Sequence, residues 1–262
     1  MTHLLQLPAL DQIETSTEDI LAIKRLDLVP VLHDQSRLNS YADHIVQAQA
    51  VLLTGVDPQL NQQLSEVIAR IIQLLNQSRQ TFRKRQYNRL QKWLGIDIEF
   101  NAGQLQHLKE LDRFIAEADQ LCQRIQIEIQ KSQARFQQVQ GWREQMARYI
   151  RAAREFLHEF PAFARQHQAV PDHFAERLSK KIQTLQTLQA SNDIALQQMR
   201  LTQQLSFSLI DRFKEAQQVL IPAWRYYLQQ STRDQSYTQL EQFDQSREQL
   251  IQTLQKTLKN KV

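Results

Sequence analysis

Few side chains in this sequence combine the type and spacing needed for covalent or metal chemistry. The single cysteine, Cys122, lies beside Leu121 and Ile125 among apolar residues at helical spacing. Free cysteine in such a setting is ordinarily a small buried hydrophobe. A reactive thiol wants an electropositive, part-exposed site, and Arg124 alone does not make one. One cysteine also excludes a disulfide framework and a cysteine-based zinc site. His158, His167 and His173 gather around Pro161–Pro171. Their spacings of nine and six match no common metal site, and no His-Glu-x-x-His motif occurs. These histidines are expected at a solvated surface. Carboxylates are scattered among Gln, Lys and Arg, with no pair set up for acid–base work. No serine has a nucleophile-elbow context. The four glycines cannot furnish a dinucleotide fingerprint or a P-loop. No catalytic, cofactor-binding or metal-ligating residue is therefore assigned. No cofactor is expected, and the chain is expected not to be an enzyme.

The densest charge feature is Arg79, Arg83, Lys84, Arg85, Arg89 and Lys92, interleaved with Phe82, Tyr87 and Trp93. Such a stretch can contact acidic lipid or nucleic acid. It can also be a solvated helix face whose cations favour a helix C-terminus near Gly95. On a helix these bases point several ways, which favours the plainer reading. The net charge of +4 is a small excess of 32 bases over 28 acids, spread along the chain. It gives nucleic-acid binding no support. Arg83, Arg85 and Arg89 remain candidate partner contacts. Trp224, which follows Pro222, is a fourth candidate and equally a core anchor.

The elements that would position these residues are long helices. Of 262 residues, 42% are hydrophobic, only four are Gly and six Pro, and Gln supplies roughly one in six. Few turn residues argue against an all-β fold. Ser16 and Asp19 resemble a capping pair for a short helix to about Leu26. Asp27–His33, with Pro30, reads as a loop or break, and a second helix as 36–53. Asp57–Pro58 is a restart signal, because Asp can cap and Pro suits the first helical position. Leu60, Leu64, Val67, Ile68, Ile71, Leu74 and Leu75 then fall on one helical face, and the helix is expected to reach Leu94. Ile96–Phe100 reads as an extended segment or loop.

From Ala102–Gly103 an apolar periodicity runs through Leu111, Cys122, Ile129 and Val139 to Phe156, passing over Gly141. Pro161–Pro171 reads as a connection. Asp172 opens a helix with Leu178, Ile182, Leu185, Leu188, Ile194, Leu196, Met199, Leu205, Leu209 and Phe213 on a face, running without Gly or Pro to Pro222. Gln189, Asn192 and Thr202 interrupt that face, and polar residues at a seam can fix register at a cost in stability. A last helix carries Leu240, Phe243, Leu250, Leu254 and Leu258. The expected fold is all-α, an elongated bundle of a few long antiparallel helices with coiled-coil-like packing. The expected organisation is 1–56 short helices, 57–230 a long-helix core and 231–262 a C-terminal helix.

Several groups of these residues resemble the TelA/KlaA-type toxic anion resistance family. Gln145-Met-Ala-Arg-Tyr-Ile-Arg-Ala-Ala-Arg-Glu-Phe-Leu157 is similar to its Leu-x-x-Tyr-Ile-x-Ala-Gly stretch, with Ala153 in place of the Gly. Phe174-Ala-Glu-Arg-Leu-Ser-Lys-Lys-Ile-Gln-Thr-Leu185 resembles a Phe-x-x-Arg-Leu-x-x-Ile-x-x-Leu run. Ala195, Gln198 and Met199 continue it. Leu220-Ile-Pro-Ala-Trp224 is similar to an Ile-Pro-x-Trp signature, and Asp34–Asp43 echoes an N-terminal motif. The resemblance spans about 30–230. The family's Thr-Thr-Asn segment and further helix have no counterpart in Ser231–Val262, which is shorter than the family's usual end.

The resemblance implies tellurite resistance and tolerance of envelope stress, with no catalytic residue to carry over. Oxyanion reduction needs a dithiol, metal or flavin that one cysteine does not supply. The expected activity is non-enzymatic, through helix-face contacts with a protein or membrane-surface partner. A peripheral membrane or envelope-stress scaffold and an oxyanion-binding or reducing enzyme are the alternatives. The expected partners are a protein of unknown identity, an anionic membrane contacted peripherally and further copies of the chain, with nucleic acid disfavoured. No run reaches the ~18 apolar residues of a membrane span. With no secretory leader visible, a cytoplasmic location is expected, with the inner face of the membrane as a peripheral site. The glutamines read as solubilising helix dressing or as a polar interface between helices.

Overall fold

The computed structural model describes residues 7–81, 96–166, 173–226 and 237–259. The described residues contain helices and no strand. The chain divides into two compact units, Met1–Gly55 with Lys131–Leu201, and Val56–Gln130 with Thr202–Val262.

The first unit begins with α1 (Thr17–Ile23), whose cap is Ser16: its side chain accepts the Glu18 N–H at 3.2 Å. Asp27–His33, expected as a loop or break, is helical. A π turn, Lys24–Leu28, leads directly into α2 (Val29–His33). The expected helix over 36–53 is two helices, α3 (Gln35–Asn39) and α4 (Asp43–Leu52). They are parted by a turn in which Ala42 takes a left-handed φ of 62°. Tyr41 and Ala42 in that turn are buried, so the break is made by the core and not by a turn-forming residue. α6 (Ile96–Gln166) and α7 (Phe174–Glu215) contribute their 131–166 and 174–201 stretches. Those stretches are antiparallel, since Arg143 meets Asp193 and Phe156 meets Phe174 edge-on at 6.3 Å. α4 runs parallel to α7, with Asp43 on Lys181 and Gln49 on Gln189.

The second unit has four helical stretches around one core. They are α5 (Pro58–Thr81), the 96–130 part of α6, 202–226, and α8 (Tyr237–Lys259). Asp57 caps α5 as expected, accepting the Gln59 N–H at 2.9 Å. Leu64, Ile68, Ile71, Leu75, Leu111, Cys122, Ile125, Phe213, Trp224, Leu250 and Leu254 fill the core. The Ile96–Phe100 stretch is helical and not extended. The expected helix through Leu94 and the Asp172 cap lie outside the described residues.

Prolines behave differently from the sequence reading. Pro161 sits inside α6 instead of ending it. Pro222 does not break its helix. A π turn, Ala216–Leu220, precedes it and helix continues over 221–226. Pro30 has the same arrangement after Lys24–Leu28. In both places the residue before the proline, Val29 or Ile221, bonds its N–H five residues back, to Lys24 or Ala216. An interior proline lacks an N–H and crowds the carbonyl four residues back. The wider π turn moves that carbonyl away and leaves the proline in the first turn of the next segment. The turns also rotate apolar side chains outward: Leu26 is 74% exposed and Val219 60%.

The face expected on α7 is buried at Leu178, Ile182, Leu185, Leu196, Met199 and Phe213 and departs from expectation at three positions. Leu188, Ile194 and Leu205 are exposed, while Leu185, Gln189, Leu196 and Met199 are buried. Gly141, by contrast, sits within α6, and a methyl group there would meet nothing within 4 Å. Gly141→Ala is expected to stabilise the unit containing it by roughly 0.5–1 kcal/mol, measured as a higher urea midpoint by circular dichroism.

Candidate functional site

The chemistry-bearing side chains of the first unit assemble into a chain of hydrogen bonds that crosses it. Gln49 on α4 and Gln189 on α7 are fully buried. Gln49 Nε2 donates to Gln189 Oε1 at 3.0 Å, and Asn192 Nδ2 donates to Gln49 Oε1 at 2.7 Å. Gln189 Nε2 in turn donates to Asp193 Oδ1 at 2.7 Å. Asp193 receives Arg143 from α6 through both oxygens, Nε at 2.8 Å and Nη2 at 3.0 Å. Arg143 Nη2 also donates to the carbonyl of Pro8. The bidentate fork is the strong geometry for such a pair; the Arg143 side chain is almost fully removed from water and that of Asp193 is partly so. The arrangement locks helices in register. Its acid is neutralised by a guanidinium and its amides are spent on one another, so it offers no free acid or base.

A second cluster lies in the same unit. Tyr41 donates to the carbonyl of Tyr149 at 2.8 Å, and the Tyr149 hydroxyl donates to Asp27 at 2.9 Å. The His44 ring meets Tyr149 edge-on at 5.4 Å. Burial pushes the Tyr149 phenol up to about 12 and Tyr41 up further. Lys24, buried on the π turn, reaches Glu155 at 3.0 Å and Glu159 at 2.9 Å. Burial pulls its pKa down, but the hydrogen bonds it donates to the two carboxylates, with their charge, outweigh that and raise it. Lys24 holds Glu155 below the ordinary carboxylate value.

Arg83, Arg85 and Arg89 lie outside the described residues, as does His167. Trp224 is not an exposed contact. It is fully buried, with its ring 6.1 Å from that of Phe243. The π turn before Pro222 carries the helix on into the core and takes the indole with it. Cys122 is buried, and desolvation pushes its thiol up to about 12. His158 and His173 are exposed, with His173 Nδ1 3.5 Å from Glu176. Among the described residues no group of three or more His, Cys, Asp or Glu could hold a metal ion. Likewise, no helix there is long and apolar enough to cross a membrane.

Sequence reasoning found Gln189 and Asn192 through their interruption of an apolar face. Lys24 and Arg143 gave no such signal, because their partners are 131 or more and 50 residues away. The residues that carried the family resemblance fall largely within this unit's interior: Ala153, Phe174, Leu178 and Leu185 are buried, and Tyr149 joins Tyr41 to Asp27.

The chain is similar to Protein KlaA of Escherichia coli, 31% identical over 139 residues, which is 52% of this chain and 54% of that protein. This relative supports a KlaA/TelA-type family assignment. The chain spans about half the length of the curated relative it matches. No family model and no solved structure matches the chain.

Two outcomes follow for the first unit. Gln189→Ala strands the Gln49 amide and takes a donor from Asp193. It is expected to cost about 1–3 kcal/mol, whereas Gln49→Leu with Gln189→Leu should cost less than the single change; urea titration measures both. The Lys24–Glu155 contact sets a pH dependence. Glu155's pKa is depressed when folded, so its contribution is complete above the unfolded value of about 4.5. It is lost as pH falls through the lower folded value. Thermal melts between pH 6 and pH 3 should show a steeper acid loss for the native chain than for Lys24→Met.

Proposed function

We propose that this chain is a non-enzymatic, TelA-like toxic anion (tellurite) resistance protein that works by presenting helix faces to a partner. The observation that carries this reading is the relationship to Protein KlaA over about half of each chain. The partner is a protein. An anionic membrane surface, met peripherally from the cytoplasmic side by the basic stretch with Arg83, Arg85 and Arg89, is the second contact. Nucleic acid is not a partner in this reading.

The state of Cys122 supports the non-enzymatic part. Reduction of an oxyanion by a thiol begins with a thiolate. A buried thiol pushed up to about 12 is almost wholly protonated at neutral pH. The buried polar groups around Asp193 are engaged with each other, which suits a scaffold better than a catalyst. Exposed apolar side chains on helix surfaces, Leu26, Val51, Ile194 and Val219 among them, give a partner something to bury.

The test is growth of a tellurite-sensitive bacterium expressing the chain. The expected outcome is a raised tolerance that Cys122→Ala retains in full. No gain in tolerance contradicts the resistance function. A gain abolished by Cys122→Ala, with the variant folded and present at equal level, contradicts the non-enzymatic mechanism.

A further inference from the structure

The first unit also holds a groove of about 560 Å³ between its N-terminal segment and the two long helices. That volume is within the usual range for small-molecule sites, roughly 300–1,000 Å³. Its lining divides by chemistry. Leu10 and Ile13 come from the N-terminal segment, and Ala147 and Ile150 from α6; they make an apolar part. Thr15, Arg151, Arg154 and Gln186 make a donor part. The polar network of Arg143 and Asp193 does not enter this lining.

The charges in the donor part are not balanced alike. Arg151 spends Nη1 on the Thr15 hydroxyl at 2.8 Å and Nε on Glu155 at 3.2 Å. Glu155 is shared with Lys24. Arg154, three residues on and on the same side of the helix, has no hydrogen-bond or ion-pair partner among the described residues. Gln186 has none there either. The Thr15 oxygen accepts from Arg151, so its own O–H is left to donate. The acid of the lining, Asp11, is exposed on the N-terminal segment. It repels an anion from that side and leaves the α6 side as the place for one.

We propose that this groove binds a small soluble amphiphile. Its carboxylate- or phosphate-type head would be held by Arg154, with Thr15 and Gln186 as further donors, and its short apolar body would lie on Leu10, Ile13 and Ile150. A planar guanidinium with all its donors free matches a two-oxygen anion bidentately. The apolar part supplies burial that a bare inorganic anion cannot use. This goes beyond the partner-binding reading above and stands or falls separately from it.

Octanoate is the probe, titrated calorimetrically into the full chain, with octan-1-ol as the neutral counterpart. Saturable octanoate binding is expected, weakened ~10-fold or more by Arg154→Ala and less by Arg154→Lys. Arg124→Ala, a change in the other unit, should leave it unchanged. Alanine is the best helix former, so Arg154→Ala on an exposed helix surface keeps the fold; circular dichroism checks this. Three results would overturn the proposal: no saturable binding at millimolar octanoate, equal affinity in Arg154→Ala, or octan-1-ol binding as tightly as octanoate. A fourth is Arg154-dependent co-sedimentation with phosphatidylglycerol vesicles in the absence of octanoate binding. That would assign the cation to a lipid surface instead of a small ligand.

Discussion

Arg143 brings a full positive charge into the interior of the first unit, and the partly buried Asp193 has to be there to meet it. Removing either from water costs several kcal/mol, recovered only when the geometry is good and the remaining lone pairs are satisfied. Both conditions hold here. The fork is bidentate, Gln189 takes a further lone pair of Asp193, and Gln49 and Asn192 complete the chain. A slide of α7 by one helical turn would break the Arg143 fork on its α6 side and the Gln49–Gln189 bond on its α4 side. The apolar contacts around them, such as Val139 with Leu196 and Met199, could be remade after such a slide at smaller cost. The polar chain therefore decides the register in which α4, α6 and α7 pack, and the Pro8 carbonyl ties the N-terminal segment to the same point.

The two proline-associated π turns show the same economy of means. Each lets a helix pass through a residue that would otherwise stop it, and each changes which side chains face inward. Lys24 is turned in, toward Glu155 and Glu159, while Leu26 is turned out. Ala216 and Trp224 are turned in while Val219 is turned out. A straight α-helix through either site would put these residues on other faces. The exposed apolar residues at the turns are consequences of backbone geometry.

Much of this was legible in the sequence, because local signals and core periodicity agree. Ser16 and Asp57 cap where their side chains predict, and the α5 and α6 stripes form the cores expected of them. Legibility ended where tertiary contacts override local preference. Pro30, Pro161 and Pro222 read as breaks because proline in a regular α-helix is unfavourable, and a sequence gives no warning of a π turn. The α7 stripe was misread locally, because Leu188 looks a better core residue than Gln189. Only the partners Gln49 and Asp193, from elsewhere in the chain and one turn on, make the glutamine the buried one. Lys24 looks like a surface lysine until Glu155 and Glu159 stand beside it. The glutamines now divide: most dress helix surfaces, whereas Gln49 and Gln189 form the polar helix–helix interface.

The contact that sets the helix register in the first unit is the central claim. A double-mutant cycle on Arg143→Met and Asp193→Leu, followed by urea titration with circular dichroism, tests it most directly. Each single change is expected to cost about 3–5 kcal/mol, because it leaves a buried charge unpaired. The double variant should recover part of that, with a coupling on the order of 1–3 kcal/mol. Additive losses, with a coupling within about 0.5 kcal/mol of zero, would contradict it.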